Sequence, residues 1–210
     1  MALIKHGNNA LSSVTAFPSA VPTGKPVLLS TATASTSSYI DFTSGIDSTY
    51  DIYRFEFITL HPSDNDPSNF TFQVETGTNT DYNQTITSTA FVAWHNESDT
   101  NTTLSYRTDY DLAQSTSFQR LTAGGGIGND SDQCLNGELL LFQPSSSVYV
   151  KHFIATTAAT GASDYINHSF IGGYINDTTP ITRIRFKMAS GTIDAGTIKM
   201  YGISAWVYIN

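Results

Sequence analysis

Residues able to do chemistry are sparse in this 210-residue chain, and their spacing argues against most kinds of catalysis. The five histidines, His6, His61, His95, His152 and His168, form neither an HExxH motif nor a His-x-His pair, so no metal site is laid out by their spacing. No Gly-x-Ser-x-Gly elbow presents a nucleophile. The run AGGGIGND at 123–130 has the glycine content of a phosphate loop. It lacks the Gly-Lys-Ser/Thr that would meet phosphate and magnesium, and reads as part of a long flexible loop. Cys134 stands alone, which excludes an intrachain disulfide and a cysteine-based zinc site within one chain.

Three turns carry alternate carboxylates: Asp64 with Asp66, Asp109 with Asp111, and Asp130 with Asp132. Alternate loop oxygens suit a hard cation such as calcium, but none of the three keeps EF-hand spacing. Asp in such clusters also caps its own turn. No metal and no cofactor is expected. Trp94 beside His95, Tyr165, and Trp206 with Tyr208 offer flat apolar rings that could stack on a sugar, and Trp94, Tyr165 and Trp206 are the candidate glycan contacts. Core or interface packing is the commoner use of such rings in a sandwich. Seven Asn-x-Ser/Thr sequons are expected to be incidental in a chain so rich in Asn, Ser and Thr.

A basic row is more distinctive. Arg183, Arg185 and Lys187 alternate with Ile184, Phe186 and Met188, so three of the ten Lys and Arg residues share one face of one strand. They are candidate partner contacts. They could meet acids on a neighbouring strand or an acidic patch on another subunit, and cross-strand pairing is the cheaper arrangement.

The elements that must position these residues are strands. The stretch 181–203 reads as a closing hairpin around a turn with Gly191 and Gly196. Clear alternation over IYRFEFITL, FTFQV, TITSTAFVAW and VYVKHFIA predicts further strands, with shorter ones in VLLSTATA, YIDF, TLSY and SFQRLT. GELLLF is apolar on both faces, as in a strand covered on two sides. HSFIGGYI carries two central glycines, the pattern of a bulge or a close backbone approach. ATTAATGASDYIN reads as a second long loop. No helix is predicted. About ten strands spaced by turns point to an all-β, antiparallel jelly-roll β-sandwich over 27–210.

Residues 1–26 differ from the rest. Pro18, Pro22 and Pro26 disfavour helix and central strand. Leu3, Ile4, Leu11, Val14, Phe17 and Val21 recur without period, more apolar than a solvated tail requires. The segment is expected to be an extended arm that anchors the domain on a neighbour.

Only 13% of residues are charged and the net charge is −8, which disfavours nucleic acid and anionic membranes as partners. No run approaches a membrane span, and MALIKHGNNAL has no apolar core, so neither membrane insertion nor a signal peptide is expected. With 12 Phe and 11 Tyr, the fold must stand on packing.

Several segments together resemble a family of small virion proteins common in marine bacteriophages. They are SGIDSTYDIYRFEFITLHP around 45–62, NGELLLFQPSSSVYVKHF at 136–153, GGYIN at 172–176, and ITRIRFKMASGTIDAGTIKMYGI at 181–203. The start, MALIKHGNNALSSVT, is similar to the N-termini of the same group, and the C-terminal pattern is similar to jelly-roll modules of tail-fibre and capsid-attached proteins. The resemblance spans roughly 1–203 and its motifs are structural. It implies a virion protein with a jelly-roll domain, with other virion proteins as partners and no catalytic residue to carry over. Its fibre-like members imply trimers, and GELLLF and AWVYIN offer surface for a homo-oligomer. The expectation is a non-enzymatic structural protein of the virion, serving as capsid decoration, head fibre or tail fibre. The alternative is a host-surface glycan-binding adhesin module. A glycan-degrading enzyme would need a carboxylate pair across a cleft, and no pair stands out.

Overall fold

The computed structural model describes residues 25–65 and 69–204. The apolar residues of the expected arm, together with Asp66, Trp206 and Tyr208, lie outside them. No helix forms among the described residues, so none is long and apolar enough to cross a membrane.

Twelve strands follow one another: β1 (Val27–Thr33), β2 (Ile40–Phe42), β3 (Ile52–Pro62), β4 (Phe70–Thr76), β5 (Ile86–Asn96), β6 (Thr102–Tyr106), β7 (Gln119–Arg120), β8 (Leu135–Phe142), β9 (Lys151–Gly161), β10 (Tyr165–Ile175), β11 (Ile181–Met188) and β12 (Ile193–Ile203). They form two antiparallel sheets. The large one is ordered β1-β12-β3-β8-β9-β10-β5-β6 and the small one β2-β11-β4-β7.

Alternation puts apolar rows of both sheets against each other. On β3, Tyr53, Phe55 and Phe57 are buried and Arg54 and Glu56 face out. From the small sheet, Phe186 enters the middle of the core. Its ring lies 5.4 Å from Phe55, 5.3 Å from Phe57 and 5.7 Å from Phe70, stacked on the last. Phe72 meets Phe153 of the large sheet edge-on at 5.0 Å. Aromatic pairs in these geometries add to the burial term. The arrangement is sandwich-like, with one shared core.

The stretch 181–203 is not a hairpin. β11 pairs with β2 and β4, whereas β12 pairs with β1 and β3, so the turn carries the chain from one sheet to the other. Both strands do bury an apolar row, Ile184, Phe186 and Met188 on one and Ile198 and Met200 on the other. The rows face the same core from opposite sides, which a local hairpin would not allow. Gly191 makes the turn feasible. Its φ is +68°, and an added Cβ would lie 2.7 Å from Ser63 Oγ and 2.9 Å from Asp64 Cβ.

The Ala/Thr-rich run expected as a loop is strand instead. β9 and β10 form a hairpin that turns within 162–164, in unbroken register from Tyr165↔Gly161 to Ile175↔Lys151. Small residues suit this hairpin because its inner face is covered closely. Ala155, Thr157 and Ala159 are buried, and Thr157 Oγ1 donates to the carbonyl of Leu121. The glycines of β10 produce no bulge. Gly173 is a close approach, since a Cβ there would meet Thr87 O at 2.6 Å and Phe153 Cζ at 2.7 Å.

Candidate functional site

The glycine-rich run 123–130 is not an anion cradle but a lid of the core. It lies over the inner face of β9 and β10, where Ala123 N donates to Ser169 Oγ at 2.8 Å. Asn167 Nδ2 points at Gly126 O at 3.5 Å. Ala123 and Ile127 of the run itself are buried. These contacts let Ser169, and Asn167 through its amide nitrogen, occupy the inward positions of β10 with almost no exposure, while Asn167 Oδ1 is buried without a hydrogen-bond partner among the described residues. Buried polar groups need such partners.

The outward positions of β10 are therefore Ile166, His168, Phe170, Gly172 and Tyr174. Register places Phe91 of β5 and Tyr106 of β6 in one row with Phe170, and Ala93 and Leu104 in one row with His168. On the other side, β9 adds Ile154 and Ala158. Leu104 is 74% exposed, Tyr106 54%, Ile154 52%, Ile166 48% and Phe91 40%. Phe91 and Phe170 stack at 4.8 Å and 11°, and His168 lies 4.2 Å from Phe170. Across Thr87 to His95, Thr102 to Tyr106, His152 to Thr160 and Ile166 to Tyr174, no outward residue is Asp, Glu, Lys or Arg. An exposed apolar face of this extent marks a contact surface. It is the feature that residue spacing had not singled out. The signal was present in Ile166, His168 and Phe170, but their alternation with Asn167 and Ser169 points the apolar row inward until the lid is known.

The basic row behaves differently. Arg185 forms a bidentate pair with Asp41 of β2, at 2.7 Å and 2.6 Å, and lies between the rings of Tyr39 and Tyr82 at 3.9 Å and 4.1 Å. The hydrogen bonds to Asp41 push the guanidinium pKa further up. Burial raises the Tyr82 hydroxyl. Lys187 lies over the Phe118 ring at 4.7 Å, and Arg183 is opposite Glu75 in register. Arg185 and Lys187 thus meet groups of their own chain.

Asp64, Asp109 and Asp111 are engaged locally through their carboxylates, and Asp130 through its backbone. Asp109 receives Arg107 through two bonds, 3.1 Å and 2.9 Å, which hold its carboxyl below the usual range. Asp111 accepts from the Tyr106 hydroxyl, which raises that hydroxyl's pKa. Asp64 accepts from Ser190 Oγ at 2.7 Å. Asp130 N donates to Gln133 Oε1 at 3.2 Å, and the Asp130 carbonyl meets His61 Nε2 at 3.2 Å. Among the described residues no three of His, Cys, Asp and Glu converge as metal ligands.

Trp94 and Tyr165 do come together, with rings 5.8 Å apart at 58°. They lie on the inward side of the sheet end, not on the exposed face. Trp94 packs on the core margin and the Tyr165 hydroxyl donates to Gly124 O at 3.3 Å. A separate open cavity of about 430 Å³ lies beside the small sheet. Its walls include Phe118, Asp109, Arg120 and Lys187.

No family model, no curated protein and no solved structure matches the chain.

Proposed function

We propose that the chain is a non-enzymatic structural protein of a phage virion, a jelly roll that decorates or projects from the particle and is held there by its neighbours. The pairing of its strands supports the fold part of this reading. With β5, β6, β9 and β10 set aside, the remaining eight strands pair first with last: β1 with β12, β2 with β11, β3 with β8, and β4 with β7. That is one long hairpin. Rolled up, such a hairpin would yield the observed orders β1-β12-β3-β8 and β2-β11-β4-β7, which supports reading them as the two four-stranded halves of a jelly roll. The β5–β6 and β9–β10 hairpins then extend one sheet of the roll.

The observation that carries the functional reading is the uncharged apolar outer face built by those two added hairpins. It is too apolar to be left to water and too flat to enclose a substrate. The resemblance of the segments at 45–62, 136–153 and 181–203 supports a virion as the setting. Residues 1–26 are the proposed anchor. Particles assembled with a chain lacking residues 1–26 are expected to lose this subunit, and normal occupancy would overturn the anchoring.

A glycan-binding adhesin module is a second reading, favoured by the cavity beside Phe118. One aromatic wall with acidic and basic groups around it is the chemistry that holds a sugar ring and its hydroxyls. A glycan array decides it. Binding that disappears on Lys187→Ala supports the adhesin, and silence at high protein concentration removes it.

A further inference from the structure

The added hairpins β5–β6 and β9–β10 present the same face to whatever lies outside the roll, and three properties of that face restrict its occupant. The first is charge. The chain carries −8, so most of its surface repels a second copy, yet this face has no Asp, Glu, Lys or Arg among its outward residues. A copy can approach the strands here with little like-charge cost, the carboxylates of Asp111 on the Tyr106 hydroxyl and Asp99 on His95 lying at the margin.

The second property is relief. Phe91 and Phe170 form a stacked ridge across β5 and β10. Beside it the surface dips at Ala93, Ala158 and Gly172, while Leu104 and Ile154 stand out at the sides. Ala93 and Ala158 flank His168 in register. A Cβ built on Gly172 would find nothing closer than Thr89 Oγ1 at 3.9 Å. Under a two-fold axis the ridge of one copy faces the hollow of the other, as an isologous contact requires.

The third is size. Three strands about 4.8 Å apart over the length from Ile166 to Tyr174, at about 3.4 Å per residue, with the five residues of β6 beside them, give a flat footprint of about 450 Å². Two copies would bury about 900 Å² before side-chain relief is counted, and that relief brings the area to about 1,000 Å², the level at which specific interfaces begin.

We infer that this face is closed by a second copy of the same chain, sheet against sheet across a two-fold axis. The inference rests on the structural reading above and names the occupant of its contact face. Two flat sheet faces pack well at about 10 Å separation, with side chains of both filling the gap.

The test is sedimentation velocity of the full chain across the micromolar range, with two variants whose folding is checked by circular dichroism. Phe170→Glu places two carboxylates at the centre of the proposed contact, and like charges there cost several kcal/mol, so dimerisation should weaken about a hundredfold or more. Leu28→Glu alters a residue 52% exposed on β1, at the opposite edge of the same sheet, and should leave association unchanged. A wild-type chain that stays monomeric overturns the inference. So does a trimer, or a dimer that survives Phe170→Glu. The two proposals fail separately: a monomer that still enters particles removes this inference alone, whereas a face-to-face dimer absent from particles removes the virion reading alone.

Discussion

The outer surface of the large sheet has two halves of opposite character. Across β12, β3 and β8, in the half that β1 edges, the outward rows hold a charge ladder. Lys199 lies opposite Glu56 and Glu56 opposite Glu138, and Arg54 meets Glu56 at 2.7 Å while covering the Tyr201 ring at 5.0 Å. On β9, β10, β5 and β6 the outward rows hold Phe, Tyr, Leu, Ile, Ala, Gly, Thr and His and no ladder at all. The charged half belongs to the eight strands that pair as one long hairpin. The uncharged half belongs to the two hairpins added to it. One sheet thus has a solvated half that closes the domain and an apolar half with surface to spare. The inner faces differ in the opposite sense. β3 points Tyr53, Phe55 and Phe57 inward, whereas β10 points Asn167 and Ser169 inward beneath the lid.

Both halves rest on one core, so the largest effect should come from its centre. Phe186 touches rings from both sheets, and Phe186→Ala should cost about 3–5 kcal/mol in urea denaturation. A midpoint unchanged from wild type would mean that the two halves do not share this core.

Next in size is a titration confined to the charged half. The Tyr53 hydroxyl, buried and bonded to the carbonyl and carboxylate of Asp47 at 3.0 Å and 3.1 Å, has its pKa pushed up to about 12, mainly by burial. The folded state therefore favours the protonated phenol. That contribution is fully present below the ordinary value of 10.0 and is lost as pH rises from there towards about 12. One pKa step is worth about 1.4 kcal/mol, so the loss amounts to at most about 3 kcal/mol. Ultraviolet titration should show a late-ionising tyrosine that Tyr53→Phe removes; a Tyr53→Phe protein with an identical titration would contradict the assignment.

The uncharged half has its own weak point beneath the lid. Ser169→Ala leaves the buried Ala123 amide without its acceptor, which should cost about 1–3 kcal/mol. Hydrogen exchange should then rise at 121–127 while β3 stays protected. Equal loss of protection in β3 would show that the two halves unfold as one unit.

The smallest effect belongs to the outer ladder. Arg54 and Glu56 are partly exposed, and a double-mutant cycle should return less than about 1 kcal/mol, shrinking further in high salt. Salt should act the other way on contacts of the apolar half, since sulfate strengthens effective burial. A coupling that grows with salt would break the contrast between the halves.

Much of the strand content was legible because period-two alternation is local. Tyr53, Phe55 and Phe57, and Ile184, Phe186 and Met188, are buried rows that the residue order already pointed to. So is the direction of the basic row, with Arg185 reaching across to Asp41 on the next strand. Three things were not legible. The run 181–203 looks like a hairpin because nothing in a strand's own residues says which sheet it joins. The Ala/Thr run of β9 looks like a loop because small residues give weak alternation. The third is the apolar face.

Composition and alternation were enough for an all-strand chain held by aromatic packing, since side-chain direction in a strand follows from the backbone alone. The inside and outside of β10 did not follow, because Ile166 and Phe170 would ordinarily be assigned inward over Asn167 and Ser169. The preference reverses only when 121–127 crosses that hairpin and offers partners to Ser169 Oγ and Asn167 Nδ2. Those partners lie some forty residues away in sequence, and a buried amide or hydroxyl is stable only where folding brings its partner to it.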